Sequence, residues 1–176
     1  EPVKALMQSW LRTKAKDLAS FRDVLELHTN SSNNTVYADA DGHIGYQLPG
    51  AIPVRTLATD IGDRPVPGWD GRHEWESYVP FDDLPSVFDP PSGRIVTANN
   101  AVHSDRAFIG VEFDRGDRAA RILELIDEAG DAVTLDTFAA IQGDTLLRRG
   151  ARMQAALADI PALPETLVAL AERLRT

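Results

Sequence analysis

The chain has 176 residues, a formal net charge of −9, and 43% hydrophobic against 26% charged residues, the proportions of a globular protein long enough to bury a core. With that acidic balance and no Lys/Arg cluster, a nucleic-acid backbone is excluded as a partner, and no apolar run is long enough to span a bilayer. Without cysteine there are no disulfides, thiolate nucleophiles or Cys-ligated zinc, and His28, His43, His73 and His103 are scattered without metal-binding spacing.

The chain opens Glu1-Pro2-Val3-Lys4, without the apolar segment of a signal peptide. Val3, Leu6, Met7, Trp10 and Leu11 then recur at helical spacing and predict an amphipathic first helix. Thr13 to Lys16 break the stripe, and Asp17 is placed to cap a second helix with Leu18, Phe21, Val24 and Leu25 on one face. Asn30 to Asn34 read as a polar loop. Thr35 to Asp39 and His43 to Leu48 flank Asp41-Gly42, a pairing that predicts a hairpin closed by a type I′ turn. In that position Asp39 and Asp41 serve turn chemistry rather than acid–base work.

Residues 49–93 hold most of the 11 prolines, with Trp69 and Trp75 among them. Proline at this density removes donors and fixes φ, which predicts a long ordered excursion held by packed aromatics rather than by hydrogen-bond ladders. Ile95-Val96-Thr97, after the turn-forming Pro90-Pro91-Ser92-Gly93, predicts a short buried strand that ends in Ala98-Asn99-Asn100. Paired asparagines at a strand end either make a turn or present an amide donor of the oxyanion-hole kind. The rest is helical: Arg118 to Glu128 with Gly130 as its stop, a short helix capped by Thr134 and running to Ile141, and one capped by Asp144 that carries Leu146, Leu147, Met153 and Leu157. Pro161 and Pro164 set off a last helix that ends at Arg175. The fold class expected is α+β over a single domain, residues 1–176, with N-terminal helices, a β-hairpin and a further strand, and a C-terminal helical cluster.

Tyr37 to Arg55 (Tyr-Ala-Asp-Ala-Asp-Gly-His-Ile-Gly-Tyr-Gln-Leu-Pro-Gly-Ala-Ile-Pro-Val-Arg) resembles the penicillin acylase (penicillin amidase) family of N-terminal nucleophile hydrolases. The likeness continues through Pro65-Val66-Pro67-Gly68-Trp69, Val79 to Pro85, Asp89 to Gly93, Thr97-Ala98-Asn99-Asn100, Asp117 to Ile122 and Ile141-Gln142-Gly143-Asp144. Each piece is weak alone; their shared order is specific. The resemblance implies part of a four-layer αββα sandwich, and a precursor that cuts itself into a small and a large chain. The large chain then begins with a catalytic Ser, whose free α-amine is the base. An α-amine titrates near neutrality and can activate a hydroxyl.

This chain begins with Glu1, so the resemblance implies an internal fragment of the large chain, inactive by itself. Its partners would be the small chain and the upstream part of the large chain, and its substrate a small N-acylated molecule such as a β-lactam or an acyl-homoserine lactone. Asn99 matches the family's oxyanion-hole asparagine, with Asn100 binding backbone nearby. Arg118 matches the arginine near the nucleophile, against a plain helix-surface arginine paired with Asp114 or Glu112. Asp105 lies near a family calcium ligand, so calcium is the one cofactor implied. His103 is given no role. The resemblance favours a periplasmic or secreted protein. The alternative reading is a non-catalytic α+β interaction module.

Overall fold

The computed structural model describes residues 2–57, 59–160 and 164–175. It forms two compact units, Glu1–Phe113 and Asp114–Thr176, each treated by itself. No helix among the described residues is long and apolar enough to cross a membrane.

The first unit opens with helices α1 (Pro2–Leu11) and α2 (Leu18–Glu26). Asp17 caps α2 in a full capping box: its carboxylate accepts from the Ser20 N–H while the Ser20 hydroxyl accepts from the Asp17 N–H. Leu25 is fully buried, and Leu18, Phe21 and Val24 are half-buried beside it. The face read from the sequence is therefore the packed one. In α1 the opposite holds. Ala5 and Gln8 are buried, while Val3, Leu6, Met7 and Trp10 are 66%, 74%, 50% and 64% exposed. Periodicity identifies an apolar face; which face meets a neighbour depends on where the helix lies.

Strands β1 (Thr35–Ala38) and β2 (Ile44–Gln47) form the expected hairpin, with Ala38 opposite Ile44. Its turn is not type I′, because Gly42 alone has positive φ (90°) among the turn residues. Asp39 and His43 close a three-residue loop, the Gly42 N–H donating to Asp39 O and Asp39 N to His43 O. This is the type I turn followed by a left-handed glycine. The Asp39 carboxylate holds it by accepting from the Asp41 and His43 N–H groups at 3.0 and 2.9 Å. A side-chain acceptor that reaches both amides favours this loop over the two-residue turn.

Residues 49–93 do carry ladders, contrary to the expectation of packed aromatics alone. β3 (Pro53–Arg55) pairs antiparallel with β4 (Trp75–Tyr78), and β5 (Ser86–Phe88) adds to β2, giving a three-stranded sheet β1-β2-β5 beside the two-stranded one. The prolines avoid the bonded positions: Pro53 is the first residue of β3, where a missing donor is tolerated. Trp69 packs against little, at 87% exposed, and Trp75 meets Tyr78 edge-on at 6.2 Å. Gly50 turns the chain between the two sheets at φ 148°, where a Cβ would lie 2.7 Å from the Ser32 Cα.

The core consists of Tyr46, Leu48, Ile52 and Leu84, with Val79, Phe81, Ile95, Val102 and Ile109 packed against it. Arg22 holds α2 over this layer. Its guanidinium lies 5.3 and 5.2 Å from the Phe81 and Phe88 ring centres and donates to Asp82 at 3.0 Å. Beyond β5, Asp89 takes a left-handed conformation (φ 42°) and clasps the hairpin, accepting from the Ile44 N–H at 2.9 Å and meeting His43 Nδ1 at 2.8 Å. The Asp89 hydrogen bond raises the His43 pKa above its ordinary value. The Ile44 N–H, followed by His43, lowers that of Asp89.

The second unit is helical: α3 (Asp117–Ala129), α4 (Leu135–Gln142), α5 (Arg148–Ala158) and α6 (Glu165–Arg175). Gly130 ends α3 at φ 55°, and Thr134 caps α4 in a second capping box with Thr137. Asp144 does not cap α5, whose N-cap is Leu147 and which has no side-chain cap; its carboxylate accepts from the Leu146 N–H and is gripped by Arg121. Pro161, expected before the last helix, lies outside the described residues.

Two measurements check this packing. Urea unfolding should show Leu25→Ala losing about 2–5 kcal/mol of stability and Leu6→Ala within about 0.5 kcal/mol of wild type; equal losses would mean that α1 buries its apolar face. By NMR titration, the His43 ring should have a pKa above the ordinary histidine value, and Asp89→Asn should lower it. Below that ordinary value the stabilisation from charged His43 is complete, and it is lost as pH rises through the raised folded value. The Asp89 contribution is present above the ordinary carboxylate value and lost as pH falls through its depressed one, so both act together between about pH 4 and pH 6.5. Both side chains are about half exposed, so solvent screening keeps the effect small.

Candidate functional site

After the turn in which the Gly93 N–H donates to Pro90 O at 2.8 Å, the chain runs through Ile95-Val96-Thr97. These residues are half-buried, but they form no strand, contrary to the sequence expectation. β-branched residues favour an extended backbone; a ladder also needs a partner edge, and the sheets of this unit are complete without them as β1-β2-β5 and β3-β4. Side-chain burial supplies its anchors. Ile95 and Val102 both pack against the core and so anchor the chain on either side of Asn99.

Between these anchors Ala98 is buried and Asn99 is exposed with φ 61°. Asparagine is one of the few non-glycine residues that adopt this left-handed conformation readily. Asn100 loops its side chain back over the turn: Oδ1 accepts from the Ala98 N–H at 3.0 Å and Nδ2 donates to Ala101 O at 3.4 Å. Asn100 thus binds nearby backbone, as expected. Together with Tyr46, Thr97 and Val102 it borders a cavity of about 240 Å³. The Thr97 hydroxyl there is buried and has no hydrogen-bond partner among the described residues. Tyr46 donates to Asn34 Oδ1 at 2.7 Å, and burial pushes its pKa up to about 12.

Arg118 lies in the first turn of α3 in the second unit. Its side chain is 59% exposed, with Nε 3.5 Å from Asp114 Oδ2, the pairing expected of a helix-surface arginine. Asp105 is exposed in the first unit. Among the described residues no three His, Asp or Glu side chains come together as a metal site. Calcium takes six to eight oxygen ligands, and Asp105 with its neighbours does not supply that set. His103 is exposed too.

Two charged groups went unassigned in the sequence. Arg121 grips Asp144 with two bonds, Nε to Oδ1 at 3.2 Å and an NH2 to Oδ2 at 2.9 Å, and reaches Glu124 at 3.1 Å; its side chain is only 18% exposed. The bidentate fork explains why both the Asp117–Ile122 and the Ile141–Asp144 stretches are recognisable: they meet here. An arginine immediately before the inward Ile122 was the available signal. In the first unit, Asp60 (7% exposed) bonds His73 Nδ1 at 3.1 Å and accepts from the Gly62 N–H at 3.1 Å, with Arg55 Nε at 4.0 Å. Burial opposes the charge on Asp60, but the His73 and Gly62 bonds and the Arg55 charge outweigh it and hold its pKa below the carboxylate norm. Nothing in the local sequence pattern marks this pair, whose members are brought together by the β3–β4 ladder.

With the geometry described, comparison with known proteins places the chain. The penicillin amidase family model matches residues 1–176. The chain is 40% identical over 116 residues to the penicillin acylase 2 proenzyme of Pseudomonas sp. strain SE83, covering 65% of this chain and 15% of that one. It is 36% identical over 111 residues to the penicillin G acylase of Escherichia coli (57% and 13%), and 44% identical over 71 residues to the acyl-homoserine lactone acylase QuiP of Pseudomonas fluorescens strain Pf-5 (40% and 8%). The solved structure of a thermostable penicillin G acylase from Alcaligenes faecalis superposes with a TM-score of 0.75 at 26% identity, over 99% of this chain and 32% of that one. The α+β fold is thus that of a penicillin acylase, and the chain belongs to the penicillin amidase family. It spans 15% or less of the length of these curated relatives.

In thermal melts, Asp144→Asn should lower the midpoint more than Glu124→Gln, because Asp144 takes both bonds of the Arg121 fork.

Proposed function

We propose that this chain is the oxyanion-stabilising portion of an acylase that hydrolyses the amide of a small N-acylated molecule, a β-lactam or an acyl-homoserine lactone. The observation that carries this reading is Asn99: an exposed asparagine in a left-handed turn, anchored on both sides by Ile95 and Val102 in the core. Non-glycine residues in such conformations cluster at functional sites. The acylase names of the relatives supply the reaction class.

In this reading the nucleophilic hydroxyl comes from outside residues 1–176 and adds to the amide carbonyl. The Asn99 Nδ2 donates to the oxygen as it becomes negative. A donor fixed in advance does not have to reorganise as charge develops, and its loss typically costs about 2.7–4 kcal/mol of barrier. The amine then leaves, and water releases the acyl group. Arg118 acts near the nucleophile as a fixed positive charge, and Asp105 contributes to a calcium site only with ligands from other segments. The partner of this chain is the remainder of its own precursor.

Residues 1–176 alone should not turn over a chromogenic acyl amide, and turnover by them would overturn the assignment of the nucleophile to another segment. In the full-length acylase that carries this chain, Asn99→Ala should lower kcat by roughly 100- to 1000-fold; full retention of kcat would remove Asn99 from the oxyanion site.

A further inference from the structure

We infer that Asn100 is the positioning residue that sets the direction in which Asn99 presents its amide, an inference that rests on the oxyanion reading of Asn99. The asparagine after a left-handed residue has no steric reason to fold back, yet both ends of the Asn100 side chain bind the turn. Its Oδ1 accepts from the N–H of Ala98, the residue before Asn99, and its Nδ2 donates to the carbonyl of Ala101, two residues after it. The one side chain therefore ties the Thr97–Ala98 peptide to the Ala101–Val102 peptide, the two that bracket the turn at Asn99.

The support beneath this clasp is uneven. Ile95 and Val102 fix the ends of the segment through apolar contact with the core, and Ala98 is 8% exposed. Apolar contact resists withdrawal of the segment but is not directional. The direction of the turn between these anchors is set by hydrogen bonds, which are directional. Asn100 is itself half-buried and borders the cavity it shares with Tyr46, Thr97 and Val102. An oxyanion donor needs this kind of support, because a catalytic group misplaced by about 1 Å costs on the order of 100-fold in rate.

A clasp that only stabilised the fold would leave the matured enzyme's kcat intact, and one that shaped the substrate pocket would act on KM. A clasp that aims the Asn99 amide acts on the transition state, so kcat and kcat/KM fall together. The test uses the full-length acylase, with rates normalised to matured protein, and compares Asn99→Ala, Asn100→Ala and Asn100→Asp. Asn100→Asp keeps the acceptor for the Ala98 N–H but replaces the Ala101 donor with an anionic oxygen, so Asn100→Ser, a neutral though shorter acceptor, is measured beside it. Asn100→Ala should lower kcat about 10- to 100-fold with KM within about twofold, and at least one of the acceptor-retaining variants, Asn100→Asp or Asn100→Ser, should recover at least about a third of the wild-type kcat. An aldehyde analogue of the substrate, whose adduct places an oxyanion in the hole, should lose affinity in parallel with kcat, while the product acid binds Asn100→Ala as it binds wild type.

If Asn99→Ala is impaired but Asn100→Ala keeps wild-type kcat, or loses only KM, the inference falls and the oxyanion reading stands. If Asn100→Asp and Asn100→Ser are both as slow as Asn100→Ala, the Ala98 bond is not what positions the turn, and the inference falls. If Asn99→Ala is fully active, the underlying reading falls and this inference with it. Should Asn100→Ala fail to mature, Asn100→Leu, which keeps the volume and lacks both polar ends, is measured against the same criteria.

Discussion

The first unit depends on burial of one small apolar cluster. Tyr46, Leu48, Ile52 and Leu84 come from β2, from the segment leading into β3 and from the segment leading into β5. Each such side chain contributes roughly 1.5–3 kcal/mol on leaving water. The cluster makes one body of a chain stretch rich in proline, which cannot build long ladders. It also receives Ile95, Val102 and Ile109, so the segment that presents Asn99 is held by the same burial that joins the two sheets.

Around that cluster the fold uses carboxylates as local fasteners. Asp17 closes the start of α2, Asp39 the hairpin turn, and Asp89 the junction of hairpin and β5. Asp60 holds the loop between β3 and β4, and in the second unit Asp144 takes the Arg121 fork. Each binds backbone N–H groups, a cation or both, and each has its pKa held below the usual carboxylate range. Part of the net charge of −9 is therefore spent on structure, and these carboxylates are not acid–base catalysts in waiting. The same logic applies to Asn100, a neutral amide that performs with both its ends what these carboxylates do with two oxygens.

Much of the fold was legible in the sequence wherever the deciding chemistry lies within a few residues. The Asp17 and Thr134 caps, the hairpin around Asp41-Gly42, the stop at Gly130 and the packed face of α2 all follow from neighbours in the chain. That Asn100 binds nearby backbone was legible too. The type of hairpin turn was not legible, because an Asp39 carboxylate that reaches two amides outweighs the intrinsic preference of Asp-Gly. The cap assigned to Asp144 failed for a related reason. Arg121, 23 positions earlier, takes that carboxylate with two charge-assisted bonds, and the one backbone amide it also accepts from, Leu146, precedes the helix.

The sequence by itself determined the local elements, the apolar periods and the motifs that mark the family, because these depend on hydrogen bonds and sterics over spans of about four residues. Only the tertiary structure decided which side of α1 is packed, whether Ile95-Val96-Thr97 finds a partner strand, and which carboxylate Arg121 takes. Those outcomes are set by what lies across from each group in space. It also decided that the turn at Asn99 is closed by its own neighbour and anchored by the core. A motif names the residues of such a site, but their directions come from contacts that close only when the chain has folded.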